Sequence, residues 1–274
     1  MATTDQSGAT IHYNVVGEGP PLLLIMGFGV DHTGWMLQVP WLSRNYQCVL
    51  MDNRGIGKSE APAGPYSMTQ MVDDSLAVLD ACRIDQAHVL GLSMGGMIAL
   101  NLALNHPERV NKLILACTTA HLGAFGEETI ATVGQRVGLN LNVEDPNDLA
   151  DVDMEVVAQE LISLSFSEKM LQENRALIDN MLVQARQWMP TPQILHAQHA
   201  AIQGHNVSER LGTIQKETLV MTAERDQLIP ASHGDHLAAH IPGATLLPFD
   251  GAGHVINMEC SQAFNQAVQQ FLND

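Results

Sequence analysis

Short apolar runs recur along this chain between stretches of helical periodicity, and that alternation limits the folds open to it more than any other feature. The runs are Ile11–Val16, Pro21–Met26, Gln47–Met51, Ala87–Leu90, Val110–Ala116, Glu217–Thr222 and Thr245–Phe249. Each has the length of a strand. The middle ones are apolar at successive positions, as parallel strands covered by helices on both faces must be. Between Met51 and Ala87 a helix is predicted from Met68 to about Cys82. Ser67-Met-Thr-Gln70 is a capping-box pattern at its start, and Met71, Val72, Leu76 and Leu79 form its apolar stripe. Strand–helix–strand alternation of this kind predicts an α/β domain on a parallel sheet. Of the 274 residues, 46% are apolar and 16% charged, which suffices for a sizeable core.

The alternation stops after Ala120 and resumes at Glu217. The interval reads as helices over Met154–Ser165, Glu168–Arg186 and Gln193–Ile202, punctuated by Pro146, Pro190, Pro192 and Gly204. A helical insertion between two strands of a sheet predicts a cap over one end of it. The expected division is a core of residues 1–120 and 214–274 and a cap subdomain of residues 121–213.

Thirteen basic against thirty acidic residues give a net charge of −17. Nucleic acid needs a clustered basic surface, so the balance argues against it, and against anionic lipid for the same reason. The first ten residues have no basic and apolar regions of a signal peptide. The uncharged stretch Gln86–Pro107 is broken by glycines and is too short in apolar content to cross a bilayer. Cys48, Cys82, Cys117 and Cys260 lie far apart with no CxxC pair, as expected of reduced thiols in the cytoplasm. Nothing in the residues signals an oligomeric state.

The strongest local motif is Gly91-Leu92-Ser93-Met94-Gly95, which follows one predicted strand and opens a predicted helix. That context makes it a nucleophile elbow. A sharp strand-to-helix turn forces Ser93 into a strained conformation, so its flanks must be small. It presents Oγ at the carboxyl end of the sheet beside free helix N–H groups. A serine nucleophile needs a base. Of twelve histidines, His254 stands in a loop after the last strand, in Gly251-Ala-Gly-His254. His233, His236 and His240 share one helix face, and with His196, His199 and His205 they are expected to pack or face solvent. The base needs an acid to orient it. The loop after Val110–Ala116 has no carboxylate, whereas that after Glu217–Thr222 reads Ala223-Glu224-Arg225-Asp226. Asp226 is the choice, with Glu224 as fallback, and Asp250 fits a turn. Two backbone donors should hold an oxyanion: Met94 N–H and Phe28 N–H, with Gly27 letting that loop approach. Gly55-Ile-Gly-Lys-Ser59 is not a phosphate loop, since Asp52 stands where its first glycine belongs. Nor is Gly27-Phe-Gly29 a dinucleotide fingerprint, because His32 occupies the third glycine position. No cofactor and no metal site are expected.

With these residues in view, the chain resembles the α/β-hydrolase superfamily outside the cap. The likeness rests on GLSMGG around Ser93, on Asp52-Asn-Arg-Gly-Ile-Gly-Lys-Ser59, on the Asp226–Pro230 loop and on Gly-Ala-Gly-His254. Within it the chain is most similar to the esterase and 3-oxoadipate enol-lactonase branch, through Leu90–Met97, His106–Val110 and Ala231–Gly234. The resemblance implies a mostly parallel eight-stranded sheet with helices on both faces and a helical cap between strands 6 and 7. It also implies a triad at Ser93, Asp226 and His254, and hydrolysis through an acyl-enzyme. Arg54 and Ser59 match a structural stretch and carry no catalysis. The chain departs from the family at Met26, where many members have histidine; the donor is a backbone N–H, so the hole is expected to survive with looser support for its loop. The expected substrate is a small or medium soluble ester or lactone, with Gly27, Phe125, Met181, Trp188 and Met189 facing it. Carbon–carbon bond hydrolysis, perhydrolysis or a ligand receptor with slow turnover are alternatives on the same frame.

Overall fold

The computed structural model describes residues 2–5, 8–123, 134–149 and 151–273. Its strands are β1 (Ala2–Thr4), β2 (Ile11–Val16), β3 (Pro21–Ile25), β4 (Gln47–Met51), β5 (Ala87–Leu92), β6 (Val110–Ala116), β7 (Thr218–Ala223) and β8 (Thr245–Phe249). They form one eight-stranded sheet in the order β1-β2-β4-β3-β5-β6-β7-β8. The β1–β2 and β2–β4 pairs are antiparallel, and all pairs from β4–β3 to β7–β8 are parallel. The seven apolar runs are all strands, four with unchanged bounds and three with ends shifted by one or two residues. The eighth, β1, is three residues of alanine and threonine on the sheet's edge, too short to show a period.

The helices are α1 (Val39–Leu42), α2 (Met68–Ala81), α3 (Met94–Asn105), α4 (Met154–Ser165), α5 (Glu168–Glu173), α6 (Arg175–Trp188), α7 (Pro192–Gln203), α8 (Ala231–His240), α9 (Ile256–Glu259) and α10 (Ser261–Asn273). Successive strand residues go to opposite faces. Leu23, Ile25, Val49, Met51, Val89, Leu113 and Leu115 join one apolar cluster with α2 and α3. Their neighbours Leu22, Leu24, Cys48, Leu50, Leu90, Ile114 and Ala116 join the other, with Trp35, Phe264 and Val268. The double burial explains why these strands are apolar throughout. The capping box of α2 is present: Gln70 N–H donates to Ser67 Oγ (3.3 Å) and Ser67 N–H to Gln70 Oε1 (2.9 Å).

Helices α4 to α7 fill the interval between β6 and β7. The single helix expected over Glu168–Arg186 is two. Asn174 leaves helical space (φ −121°, ψ 38°), and its N–H closes α5 on Met170 O. Its own carbonyl then accepts from Leu177 and Ile178, starting α6. A short amide that competes with the backbone favours such a break. Among the described residues, no helix is long and apolar enough to cross a membrane.

Two histidines of this interval make stability depend on acidity. His199 and His205 are each 2% exposed, and burial pushes both down to about 4. His205 Nε2 donates to Thr119 O at 3.0 Å and Nδ1 accepts from Asn101 Nδ2 at 3.0 Å, a neutral pattern. Unfolded, each would titrate near 6.5. The unfolded chain therefore binds more protons between pH 6.5 and 4, so stability is full above that window and falls as the pH drops through it. Each histidine contributes on the order of 1.4 kcal/mol per pH unit there. Urea unfolding should show this loss between pH 6.5 and 4.5, and a smaller one in His205→Gln. A profile equally steep in His205→Gln would contradict the assignment.

Candidate active site

Ser93 is the single residue between β5 and α3. Its backbone lies at φ 58°, ψ −124°, a conformation costing about 1–3 kcal/mol that surrounding structure must hold in place. Its N–H donates to Ala116 O at 2.9 Å, and its carbonyl accepts from Gly96 N–H, Met97 N–H and the Thr118 hydroxyl. The flanking glycines are sterically required. A Cβ on Gly91 would stand 2.2 Å from Gly95 O, and one on Gly95 2.1 Å from Ile25 O.

Asp226 follows β7 and His254 follows β8. Asp226 Oδ1 accepts from Leu228 N–H at 2.9 Å and Ile229 N–H at 2.8 Å. Its Oδ2 faces His254 Nδ1 at 2.7 Å. Two backbone N–H groups fix the carboxylate, which can only accept, so Nδ1 carries the proton and Nε2 is left as the ring's acceptor. Ser93, Asp226 and His254 are 9%, 7% and 5% exposed. The competing acids point elsewhere. Glu224 accepts from Gly251 N–H at 2.9 Å and pairs with Arg225, and Asp250 sits exposed on the turn after β8.

Cys117, read from the sequence only as one of four reduced thiols, belongs to the same place. It follows β6 with φ 44°. Its sulfur, an Asp226 oxygen and a His254 ring nitrogen lie within 4.8 Å of one another. Burial, then the charge and hydrogen bond of Asp226, push the thiol well above its usual range. It therefore stays a neutral donor to the carboxylate. The absence of any acid after β6 was legible; the thiol in its stead was not.

Gly27 is packed on the serine: a Cβ there would stand 2.9 Å from Ser93 Cβ and 3.4 Å from Oγ. Among the described residues, no acceptor is paired with the N–H of Phe28 or of Met94. The loop finds support that the sequence did not reveal. Asn53 Nδ2 donates to Met26 O at 2.9 Å, and Gly29 N–H donates to Oε1 of the fully buried Gln198 at 3.0 Å.

Phe28, Met97, Leu122, Ile202, Leu228 and Ile229 line a cavity of about 20 Å³ against Ser93. Met181 and Met189 are not among them; Met189 packs in the apolar cluster of the helical interval. Phe125 and the side chain of Trp188 lie outside the described residues. Met97 is one helical turn beyond the serine, and Leu228-Ile229 follows the acid; those spacings could have nominated them. His233 bonds Thr119 Oγ1 at 2.6 Å, His236 and His240 stack at 4.1 Å, and His196 bonds Val143 O at 2.9 Å.

His12, His32 and Asp52 form a second cluster. Asp52 meets His12 Nδ1 at 2.9 Å and His32 Nδ1 at 2.6 Å, and accepts from the N–H groups of His32 and Lys58. Burial opposes its charge, but these bonds more than offset that and hold the carboxyl below its usual range. In both clusters the carboxylate's lone pairs are already engaged by the protein. Asp52 also occupies the concavity of Gly57, where a Cβ would meet its carboxylate at 2.5 Å, so the Gly55–Ser59 turn cradles a side chain.

The sequence model of the alpha/beta hydrolase fold family matches residues 20–260. The chain is 30% identical over 266 residues to a protein of Azorhizobium caulinodans named as a carbamate hydrolase, covering 97% of this chain and 96% of that one. It is 32% identical over 279 residues to the 2-hydroxy-6-oxo-6-phenylhexa-2,4-dienoate hydrolase of Burkholderia cepacia, covering 97% and 92%. The crystal structure of an enol-lactonase from Burkholderia xenovorans LB400 superposes with a TM-score of 0.86 at 26% identity, covering 100% of each chain.

If the carboxylate facing His254 serves the reaction, its charge should matter far more than its neighbours'. Asp226→Asn should lower kcat by roughly 10⁴, because an amide neither stabilises the imidazolium nor fixes its tautomer. Glu224→Gln and Asp250→Asn should stay within about tenfold of wild type. Steady-state kinetics on the three variants checks this, and a larger loss in Glu224→Gln would move the acid by two residues.

Proposed function

The chain belongs to the α/β-hydrolase family, and from that premise we propose that it is a serine hydrolase of small or medium carboxylic esters or lactones. The observation that carries this reading is the Asp226–His254 pair, 2.7 Å apart, at the same end of the sheet as a strained serine that abuts an apolar cavity. Ser93 Oγ attacks the carbonyl while His254 Nε2 takes its proton. Asp226 holds the opposite ring nitrogen and stabilises the cation. The N–H groups of Phe28 and Met94 hold the oxyanion. His254 returns its proton to the departing alkoxide oxygen, leaving an acyl-enzyme. Water then attacks the ester carbon, giving its proton to His254, which passes it back to Ser93 as the acid leaves.

Residues 121–213 are read as a cap subdomain over a core of residues 1–120 and 214–274, and Gly27 as a substrate contact. Every cavity-lining side chain other than Ser93 is apolar. That favours a neutral acyl group over the carboxylate-bearing dienoate named for the Burkholderia cepacia relative, which would need a cationic or donor-rich partner. At about 20 Å³ the cavity holds little more than a water. Substrate must displace side chains, and Met97 is an adaptable one. The four thiols are free, consistent with placing the protein in a reducing cytoplasm.

Ser93→Ala should fold normally and lose roughly 10⁴ or more in kcat on p-nitrophenyl esters. A folded variant that keeps the wild-type rate would exclude the serine mechanism. Across acyl chain length, kcat/KM should peak at short or medium esters and fall steeply towards palmitate. A rise towards palmitate with activation at an oil–water interface would mark a lipase instead.

A further inference from the structure

Two polar side chains tie the helical segment between β6 and β7 to the two backbone loops that the proposed chemistry depends on. The first is Gln198 on α7, fully buried. Its Oε1 accepts from Gly29 N–H at 3.0 Å, and its Nε2 donates to Arg54 O at 3.2 Å. Gly29 is the residue after Phe28, whose N–H is a proposed oxyanion donor. The loop has a single other side-chain tether, Asn53 to Met26 O, among the described residues. The second side chain is Glu259, at the end of α9. Its Oε1 accepts from Ser167 N–H at 2.6 Å and Gly253 N–H at 3.2 Å, and its Oε2 accepts from the Ser167 hydroxyl at 2.7 Å. Gly253 immediately precedes His254, and Val255 N–H on its other side donates to Ser165 O at 3.2 Å. The approach leaves no room for a side chain: a Cβ on Gly253 would stand 2.6 Å from Ser167 N and 2.7 Å from Phe166 C. The loop carrying the histidine is thus hydrogen-bonded on both sides of His254 to the 165–167 corner of the cap.

We propose that the cap completes the catalytic centre, with Gln198 the positioning residue for the oxyanion loop and Glu259 the positioning residue for the His254 loop. Neither side chain touches the reacting atoms. Each fixes the backbone one residue from a group that does. Gln198 pairs the buried carbonyl of Arg54 and the half-buried N–H of Gly29, which makes the docked position of α7 specific rather than merely apolar. A carboxylate accepting three donors does the same at the histidine loop. Misplacement of a reacting group by about 1 Å can cost on the order of 10²-fold in rate, so such contacts act on kcat even where substrate binding is unaltered. The inference rests on the serine-hydrolase reading, and the measurement separates the two.

The test uses the full chain carrying Gln198→Met, Glu259→Ala, Glu259→Gln, Ser167→Ala or the Glu259→Ala/Ser167→Ala pair. Each variant is checked by circular dichroism and its unfolding midpoint. Two quantities are measured: kcat and KM on a short-chain p-nitrophenyl ester, and the rate of Ser93 labelling by a fluorophosphonate. Labelling requires an activated serine but no particular substrate. Gln198→Met and Glu259→Ala should each lower kcat and labelling roughly 10- to 100-fold with KM nearly unchanged. Glu259→Gln should recover most of the rate, because its amide oxygen can accept both N–H groups and its amide nitrogen can donate to Ser167 Oγ. Ser167→Ala should cost several-fold alone and little more on top of Glu259→Ala, since both remove the same link. Wild-type kcat and labelling in Gln198→Met and Glu259→Ala would overturn the proposal, as would an equal fall in Glu259→Gln and Glu259→Ala. Should Glu259→Ala fail to fold, a wild-type rate in Ser167→Ala would overturn the histidine-loop half. A wild-type protein that the fluorophosphonate does not label would instead overturn the serine-hydrolase reading itself.

Discussion

A helix can follow a strand with one residue between them only where the two backbones nearly touch, and that contact organises this molecule. Three backbones meet at Ser93: β5, the first turn of α3, and the end of β3 at Ile25 and Met26. A Cβ on Gly91 or Gly95 would fall within 2.2 Å of a carbonyl oxygen, so no other residue type fits without moving an element. The strain at Ser93 persists because its own N–H and C=O are bonded to β6 and α3. Here the sheet's parallel order matters beyond burial. β5 is flanked by β3 and β6, and those strands supply the loop with Phe28 and the anchor at Ala116. Close packing, not an added element, brings nucleophile, candidate oxyanion donors and core together.

Charge is handled locally in a chain of net charge −17. Each buried carboxylate is saturated. Asp226 takes two backbone donors, the His254 ring and the Cys117 thiol. Asp52 takes two backbone donors and two rings. Asp74 takes both a side nitrogen and a terminal nitrogen of Arg54 at 2.7 Å. A buried carboxylate left short of donors would protonate instead. Asp226 holds a single ring, His254, at the same end of the sheet as Ser93. Asp52 orders two histidines: His32 Nε2 lies 2.9 Å from Asn14 Nδ2, and His12 Nε2 is buried with no partner among the described residues. Similar groups therefore make an ordering cluster in one place and a candidate acid–base pair in the other.

What could be read from the residues was what is local or periodic. Short apolar runs of strand length made seven strands legible, and β1 escaped because three edge residues of alanine and threonine form no such run. The elbow was legible because its constraint lies within five residues. The Asp226–His254 pairing was legible through loop order, since a parallel sheet sends every strand's carboxyl end to the same side. The break at Asn174 was hidden because the apolar pattern continues across it. The polar links were hidden for a different reason: Ser167 and Glu259 are 92 positions apart, and Gly29 and Gln198 are 169 apart. A glutamine inside an apolar helix pattern looks like a surface residue until the loop it bonds is placed against it. The same holds for the lining of the cavity, where Leu122, Ile202 and Leu228 come from three separate elements.

The family's variety follows from this division of labour. Proteins similar to this one are named for a carbamate, a phenylhexadienoate and an enol-lactone. On the proposed reading, one strained serine with its base serves such different substrates because the sheet fixes only the nucleophile, the proton path and the oxyanion donors. Which carbonyl arrives is decided by the side chains above the sheet. In this chain those that line the cavity beside Ser93 are apolar, and neither Gln198 nor Ser167 is among them. Gln198 and Ser167 thus use their hydrogen bonds to hold loops, leaving a lining that recognises shape and hydrophobicity. Discrimination by shape alone is worth about 1–3 kcal/mol per methylene. On the proposed reading, such a site would separate neutral acyl groups by size over a modest range and reject a charged acyl chain much more strongly, since its lining offers the charge no partner.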